Sequence, residues 1–255
     1  MLLSLISGSS GNSSLFTHNG TNILIDCGMS GRALTETLKK LDMCGHDIDA
    51  IFVTHEHIDH TAGVGVVSRR FNLPVYATEQ THEAMNVGRI ADENIKIIAP
   101  DRPIEIGDVV VDAFSIPHDA KDPVGYRFFA DNKKFALATD IGTITDDLFD
   151  SLSGSKEIIL EANHDIDMLK NGPYPEHLKS RILSNFGHMS NDLSAETALS
   201  LINRGTEKIM LAHLSNENNT PEKAFSAVSD FLKENGVSKK DVMLSVAKRY
   251  EVTKF

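Results

Sequence analysis

Six residues, His55-Glu56-His57-Ile58-Asp59-His60, constrain this chain more than any other stretch. They hold three histidines and two carboxylates. They follow an apolar run, Asp49–Val53, and precede Thr61–Phe71, whose Val64, Val67 and Phe71 recur at helical spacing. In open α/β sheets ligands bind beyond the carboxyl ends of strands, so a polar cluster at this junction marks a site. In an extended segment His55 and His57 point to one side and Glu56 to the other. Asp59 and His60 fall where the strand turns into the helix and can aim at a second point. The spacing fits two adjacent metal ions, each taking imidazole and carboxylate ligands. A solvated loop with chance histidines would explain any one of these residues, but not the set.

The rest of the chain supplies strands and helices around this point. Leu2–Ile6, Ser13–Thr17 and Asn22–Asp26 read as strands, with a hairpin signal at Asn19-Gly20. Ser30 caps a helix over Arg32–Leu41, with Leu34, Leu38 and Leu41 on one face. A strand at Pro74–Ala77 and a helix at Glu79–Val87 follow. The middle is strand-rich: Lys96–Ala99, Pro103–Ile106, Val109–Ile116, Val124–Ala130 and Lys134–Thr139, the last two forming a hairpin. Then come helix Thr145–Ser151, strand Glu157–Glu161, helices Pro175–Asn185 and Leu193–Asn203, and strand Lys208–Ala212. Helix Pro221–Asn235, with Pro221 at its first position, and short strands Val242–Val246 and Tyr250–Val252 close the chain. No Pro/Gly/Ser-rich linker divides it, so a single domain over 1–255 is expected. The order predicts an α/β fold: two mixed sheets face to face with helices on both outer sides, a four-layer αββα sandwich. Asp26, His55–His60, His118, Asp140, Glu161–Asp165 and His213 all follow strand ends and point to one shared site.

The formal charge of −11 argues against binding nucleic acid by bulk basicity. It does not exclude a nuclease, since bound divalent ions reverse the local field. Cys27 and Cys44 make no disulfide framework, and a reducing cytoplasm is the default compartment. The apolar start Met1–Ile6 is short, lacks a basic region and reads as a strand rather than a signal peptide. No apolar run reaches the roughly 20 residues of a membrane span. No Walker-type Lys is present, so binding of a nucleotide triphosphate is not expected.

Thr54–His60 resembles the signature of the metallo-β-lactamase-fold hydrolases, and the resemblance extends along the whole chain. It implies a His after a middle strand, met by His118, an Asp ending a later strand, met by Asp140, and a His ending a strand near the C-terminus, met by His213. By resemblance His55, His57 and His118 take one divalent metal, and Asp59, His60 and His213 take the other. Asp140 bridges them, and Asp26 holds the histidine loop by hydrogen bonds. Zinc or manganese suits these donors, and iron is compatible with them. The implied chemistry is hydrolysis by a hydroxide shared between the ions, with Asp59 orienting it. Cys27 reads as a small buried hydrophobe rather than a nucleophile.

Absences narrow the substrate. His57 stands where flavodiiron proteins carry Glu, and Asp140 where secreted β-lactamases carry Cys. The stretch after His213 is too short for the helical domain of glyoxalase II-like thioesterases. The Asp140–His213 interval is too short for a β-CASP insertion. Glu161 in Leu160–Asp165 and His188 in Phe186–Ser190 are similar to motifs of tRNA 3′-end endonucleases, where the Glu orients a His that protonates the leaving oxygen. Asn163 and His164 read as groups supporting the site or meeting substrate, or as a polar turn. Gly8–Asn12 reads either as a phosphate-binding nest or as a plain turn. Ser7–Ser13, Val53–Thr61, Phe114–Tyr126, Leu160–Leu169, Gly187–Leu193 and His213–Glu222 are most similar to the WalJ/YycJ-like subgroup, which implies exonuclease action on DNA. A small-molecule hydrolase of cyclic phosphodiesters, lactones or thioesters, and a non-catalytic signalling protein, stand as alternatives. Arg69, Arg70, Lys170 and Lys179 could line a cationic rim, but a solvated surface position is the better reading of each.

Overall fold

The computed structural model describes residues 1–255. β1 (Leu2–Ile6), β2 (Ser13–His18) and β3 (Thr21–Ile25) form an antiparallel meander. Helix α1 (Gly31–Lys39) returns the chain to β4 (Ala50–Phe52), which runs parallel to β3. Helices α2 (Ile58–Thr61) and α3 (Val64–Phe71) lead to β5 (Val75–Ala77), and α4 (Glu79–Ala84) leads to β6 (Ile95–Ile97). Both strands continue the parallel arrangement.

The second sheet starts with β7 (Ile104–Ile106), β8 (Val109–Ser115), β9 (Val124–Ala130) and β10 (Lys133–Ala138), all antiparallel. Helix α5 (Asp146–Leu152) then connects to β11 (Glu157–Glu161). Helices α6 (Ile166–Asn171), α7 (Glu176–Ile182) and α8 (Asn191–Ile202) precede β12 (Lys208–Ala212), and α9 (Pro221–Glu234) precedes β13 (Met243–Val246). Strands β10 to β13 are parallel. β14 (Thr253–Lys254) pairs back onto β1. Each sheet has seven strands, in the orders β14-β1-β2-β3-β4-β5-β6 and β13-β12-β11-β10-β9-β8-β7.

Side-chain alternation along the strands sorts three cores. Ile23, Ile25, Phe52, Tyr126, Phe128, Leu137, Ile159 and Met210 face inward and fill the space between the sheets. Their neighbours Leu24, Ile51 and Val75 face outward onto Leu34, Leu38, Val64 and Val67 of α1 and α3. Ala136, Ala138, Ile158, Leu160 and Leu211 face the opposite side, onto Leu148, Ala198, Leu201 and Val228. The result is the four-layer αββα sandwich.

Three local readings change. The helix placed at Thr61–Phe71 is two helices, because Gly63 N donates to Cys27 O at 2.7 Å instead of continuing one ladder. The last strand lies at Thr253–Lys254, not Tyr250–Val252. Lys248 N donates to Thr253 Oγ1 at 2.9 Å, folding the intervening residues into a turn that leaves Tyr250 exposed. Helix α6, not read from the sequence, starts at Asp165, whose side chain accepts from Met168 N at 2.8 Å.

Candidate metal centre

The strand directions explain why distant polar residues meet. Within the first sheet β1, β3 and β4 run the same way, and within the second so do β8, β10, β11 and β12. The residues after their carboxyl ends therefore gather at one edge. Asp26, Asp140 and His213, each just past a strand, adopt left-handed φ values of 58°, 61° and 57°. For non-glycine residues this conformation costs on the order of 1 kcal/mol each, and it turns the chain sharply at the site.

Four imidazoles are pinned from outside the cleft. Asp26 Oδ2 accepts from His60 Nδ1 at 2.7 Å. The same oxygen accepts from Thr54 Oγ1 at 2.8 Å, which leaves that hydroxyl to accept from His55 Nδ1 at 3.0 Å. Gly187 O accepts from His118 Nδ1 at 3.1 Å, and Glu161 Oε1 from His213 Nδ1 at 2.7 Å. A ring whose Nδ1 carries the proton has its lone pair on Nε2, which sets the tautomer of each. His55 Nε2 faces His57 Nδ1 at 3.0 Å. His60 Nε2 lies 3.3 Å from Asp140 Oδ2 and 3.5 Å from Asp59 Oδ2, and His213 Nε2 lies 3.5 Å from Asp59 Oδ2.

The donor atoms group as a cation site would need them. Those of His55, His57 and His118 lie within 4.8 Å of one another, as do those of Asp59, His60 and His213. Asp140 lies with His55 and His60 in one such group and with His213 in another, which places it between the first two. His118 Nε2, Asp140 Oδ2 and His213 Nε2 are buried without any hydrogen-bond partner. Buried polar atoms are rarely left unpaired, and imidazole lone pairs with carboxylate oxygens are the donors that divalent transition metals take. The residues therefore fit metal ions.

The electrostatics agree. Burial works against charge on His60, but Asp140, Asp26 and Asp59 outweigh it and push the ring up to about 9. His213 is raised well above the ordinary range, burial being outweighed by Asp140, Asp59 and Glu161. A field that favours a proton on Nε2 favours a cation placed there instead. His55 is held well below the ordinary range by burial and by the neighbouring imidazoles, so it offers a neutral ring. Burial raises the Asp59 carboxyl, but His213 and His60 more than reverse this and hold it below the usual range.

These groups open into a cavity of about 370 Å³. Asp59, Asp140, His57, His188 and His213 form its floor; Tyr174, Leu178, Arg181 and Ile182 line it from the segment around α7.

A sequence model of the beta-lactamase superfamily domain matches residues 21–214. The chain belongs to the metallo-β-lactamase superfamily. Within it the chain falls in the WalJ/YycJ-like subgroup. It is 39% identical over 224 residues to exodeoxyribonuclease WalJ of Streptococcus pneumoniae serotype 2 (strain D39 / NCTC 7466), covering 86% of this chain and 83% of that protein. It is 39% identical over 234 residues to exodeoxyribonuclease YycJ of Bacillus anthracis, covering 91% of this chain and 89% of that protein. The crystal structure of the metallo-β-lactamase fold protein YhfI from Bacillus subtilis matches with a TM-score of 0.71 over 99% of this chain and 98% of that one. At 17% identity that likeness concerns the fold.

In this member of the metallo-β-lactamase superfamily the residues singled out from sequence fall in three groups. His55, His57, Asp59, His60, His118, Asp140 and His213 converge as described, with Asp26 behind them. Glu161 and His188 meet: Glu161 Oε1 accepts from His188 Nδ1 at 2.9 Å, and His188 lines the cavity. Asn163 also lines it, and its Nδ2 donates to His213 O at 2.9 Å. His164 is different. Its backbone bridges to Ser190, its ring is buried away from the cavity, and neither ring nitrogen has a partner. Burial pushes it down to about 4, so the ring is neutral at pH 7. Cys27 is buried, its thiol pushed up to about 12, as suits a packing residue.

Arg69, Arg70, Lys170 and Lys179 lie outside the cavity, as the surface reading of each expects. Arg69 donates to Val87 O and Arg89 O, Arg70 lies over Phe71, and Lys179 is tied to Glu176 and Lys170 O. None of these, nor Lys170, lines the cavity; Arg181 does. Asn12, which closes the stretch that reads as a nest or a turn, acts through its side chain instead: its Nδ2 donates to Asp59 Oδ2 at 3.2 Å and lies 3.1 Å from His60 Nε2. Its position after β1 was the available signal, since β1 ends at the same edge. No helix is long and apolar enough to cross a membrane.

Proposed function

We propose that this chain is a dinuclear metal-dependent phosphodiesterase that cuts DNA from an end. The observation that carries this is the set of imidazoles pinned at Nδ1 and turned inward around Asp59 and Asp140, three donor atoms of the cluster being buried and unpaired. His55, His57 and His118 would hold one ion, Asp59, His60 and His213 the other, with Asp140 between them. Held by these residues, two divalent ions such as zinc or manganese would supply a hydroxide at neutral pH and positive charge for the phosphodiester.

The chain's own groups supply the rest. Asp59 Oδ2, steadied by the Asn12 amide, is placed to hold the proton of the attacking water. Glu161 accepts a hydrogen bond from His188 Nδ1 and favours the imidazolium form, whose Nε2 proton would pass to the leaving oxygen, returning a neutral ring. Asp26 and Gly187 keep the rings from turning. The 39% identity to exodeoxyribonucleases WalJ and YycJ supports DNA as the substrate. The free thiols of Cys27 and Cys44 suit a reducing compartment, here the cytoplasm. The core shared by both sheets supports one domain over 1–255.

A small phosphodiester, lactone or thioester is a second reading, favoured by the modest cavity and its single lining guanidinium. A side-by-side assay separates the two. End-labelled DNA, bis-p-nitrophenyl phosphate, a lactone and a thioester are offered under zinc and under manganese. Cleavage of the DNA and the phosphodiester is expected. Activity confined to the lactone or thioester would overturn the phosphodiesterase reading.

A further inference from the structure

One wall of the cavity comes from a single short segment. Leu178, Arg181 and Ile182 fall three and four residues apart on α7, so they share one helix face, and Tyr174 lies just before the helix. Ile58 also lines the cavity, an aliphatic side chain left 68% exposed between His57 and Asp59. An exposed isoleucine beside a metal-type cluster has no packing reason to be there.

Arg181 is the one Lys or Arg lining the cavity, among three aspartates. Its Nε donates to Asp119 Oδ2, and its two terminal amino groups make no hydrogen bond within the chain. Asp119 is itself fixed: its backbone N donates to Phe186 O at 3.0 Å, and its Oδ1 lies 3.4 Å from His118 Nε2. The guanidinium is therefore held one carboxylate away from a proposed metal-facing nitrogen, with its fork free. A free, pre-positioned guanidinium fork matches two oxygens of a phosphate and loses little freedom on binding. Half-buried Tyr174 and Leu178 beside it offer an aromatic and an aliphatic surface, and nucleobases stack on such platforms whatever their identity.

We infer that the α7 face is a nucleotide subsite, in which Arg181 takes the phosphate next to the scissile one and Tyr174 with Leu178 receives the adjoining base, with exposed Ile58 adding apolar surface to the same cavity. The subsite rests on the phosphodiesterase reading and says which part of the nucleic acid the chain grips. Asp119 acts as a positioning residue, fixing the Arg181 side chain.

The test is binding to zinc-loaded full-length protein, measured by isothermal titration calorimetry. The probes are thymidine 3′,5′-bisphosphate and propane-1,3-diol bisphosphate, which lacks sugar and base. R181A should weaken both probes by about tenfold or more, the loss of a charge-assisted phosphate contact. R181K should recover only part of this, because an ammonium lacks the fork. Y174A should weaken the thymidine probe at least about fivefold more than the propanediol probe. K179Q, on the same helix but outside the cavity, should match wild type. Arg181 is 54% exposed, so its truncation leaves the core intact. Equal affinities for wild type and R181A would overturn the subsite, as would equal losses in R181A and K179Q. Hydrolysis of bis-p-nitrophenyl phosphate by the wild type reports separately on the phosphodiesterase reading. Hydrolysis together with unchanged bisphosphate binding in R181A would sink the subsite alone.

Discussion

Glu161 Oε1 accepts a hydrogen bond from His213 Nδ1 at 2.7 Å, and the same oxygen accepts one from His188 Nδ1 at 2.9 Å. Its Oε2 accepts from the backbone amides of Ile141 at 2.7 Å and Met189 at 3.0 Å. Burial alone would raise this carboxyl; His188 and His213 outweigh it and hold it below the usual range. One carboxylate thus orients two rings with different tasks. In the proposed mechanism His213 serves the ions and His188 the leaving group.

Separate tasks predict separable losses. H188A should lower kcat by about 10²- to 10⁴-fold while the metal content stays at the wild-type level. E161Q should lower both, because an amide cannot accept from two N–H groups and two backbone amides as the carboxylate does. Turnover measured beside elemental analysis decides it. Loss of metal in H188A would make His188 a ligand rather than an acid.

The unpaired buried donors predict a strong link between metal and stability. Purified protein should carry about two divalent ions per chain. Chelation should lower the Tm and added zinc restore it, since an ion at 1,000 times its Kd stabilises by about 4 kcal/mol. Calorimetry before and after dialysis against a chelator measures this. A metal-free protein with an unchanged Tm on adding zinc or manganese would contradict the proposed centre.

Asp26 should act at a distance through Thr54. It holds His60 directly and, through the Thr54 hydroxyl, His55. D26N should weaken metal binding by about 10- to 100-fold, the usual effect of losing a group that orients a ligand. T54V should disturb His55 while leaving the Asp26–His60 bond in place, and so cost less. Chelator competition gives the affinities, and wild-type affinity in D26N would refute the support role.

Much of this was legible in the chain. Glu157–Glu161 and Lys208–Ala212 were found at their true limits, because short apolar runs between turn signals mark strands buried on both faces. The histidine motif and the later strand-end residues stood out for the same reason: polar groups directly after apolar runs. The Asp119–Arg181 pair did not, since its partners are 62 residues apart and neither carries a periodic signal. Asn12 was hidden in a Gly/Ser stretch that suits any turn. His164 looked like its neighbours in sequence, but the bridge to Ser190 turns it inward. Arg69 and Arg70 lie on the exposed face of α3, as their spacing against Val64 and Val67 implied.

Gly28 should tolerate no side chain. A methyl group there would lie 1.7 Å from Asp59 O and 2.6 Å from Asn12 N. These backbones are already joined: Asn12 N donates to Asp59 O at 2.7 Å and Gly28 N to Asn12 O at 2.8 Å. G28A must push the Asp59 loop away from β3, costing about 1–3 kcal/mol and lowering metal content. A urea midpoint equal to wild type would show that the loop moves freely.

Lys134 gives a pH signature away from the cleft. It is half-buried and its Nζ donates to Ser153 O at 2.8 Å. Burial, aided by Arg127 and opposed by Asp112 and Asp150, pushes it from 10.5 down to about 8. Below pH 8 both folded and unfolded chains hold the proton, and the full cost of burying the charge is present. Between about 8 and 10.5 the unfolded chain keeps a proton that the folded chain has shed, so stability gained at this group rises with pH. K134M carries no such charge. Its stability relative to wild type should therefore fall as pH rises through this window, other groups titrating alike in both proteins. Urea midpoints of the pair at pH 7 and pH 10 measure the change. A difference that stays constant would mean that Lys134 keeps its ordinary affinity for the proton in the folded chain.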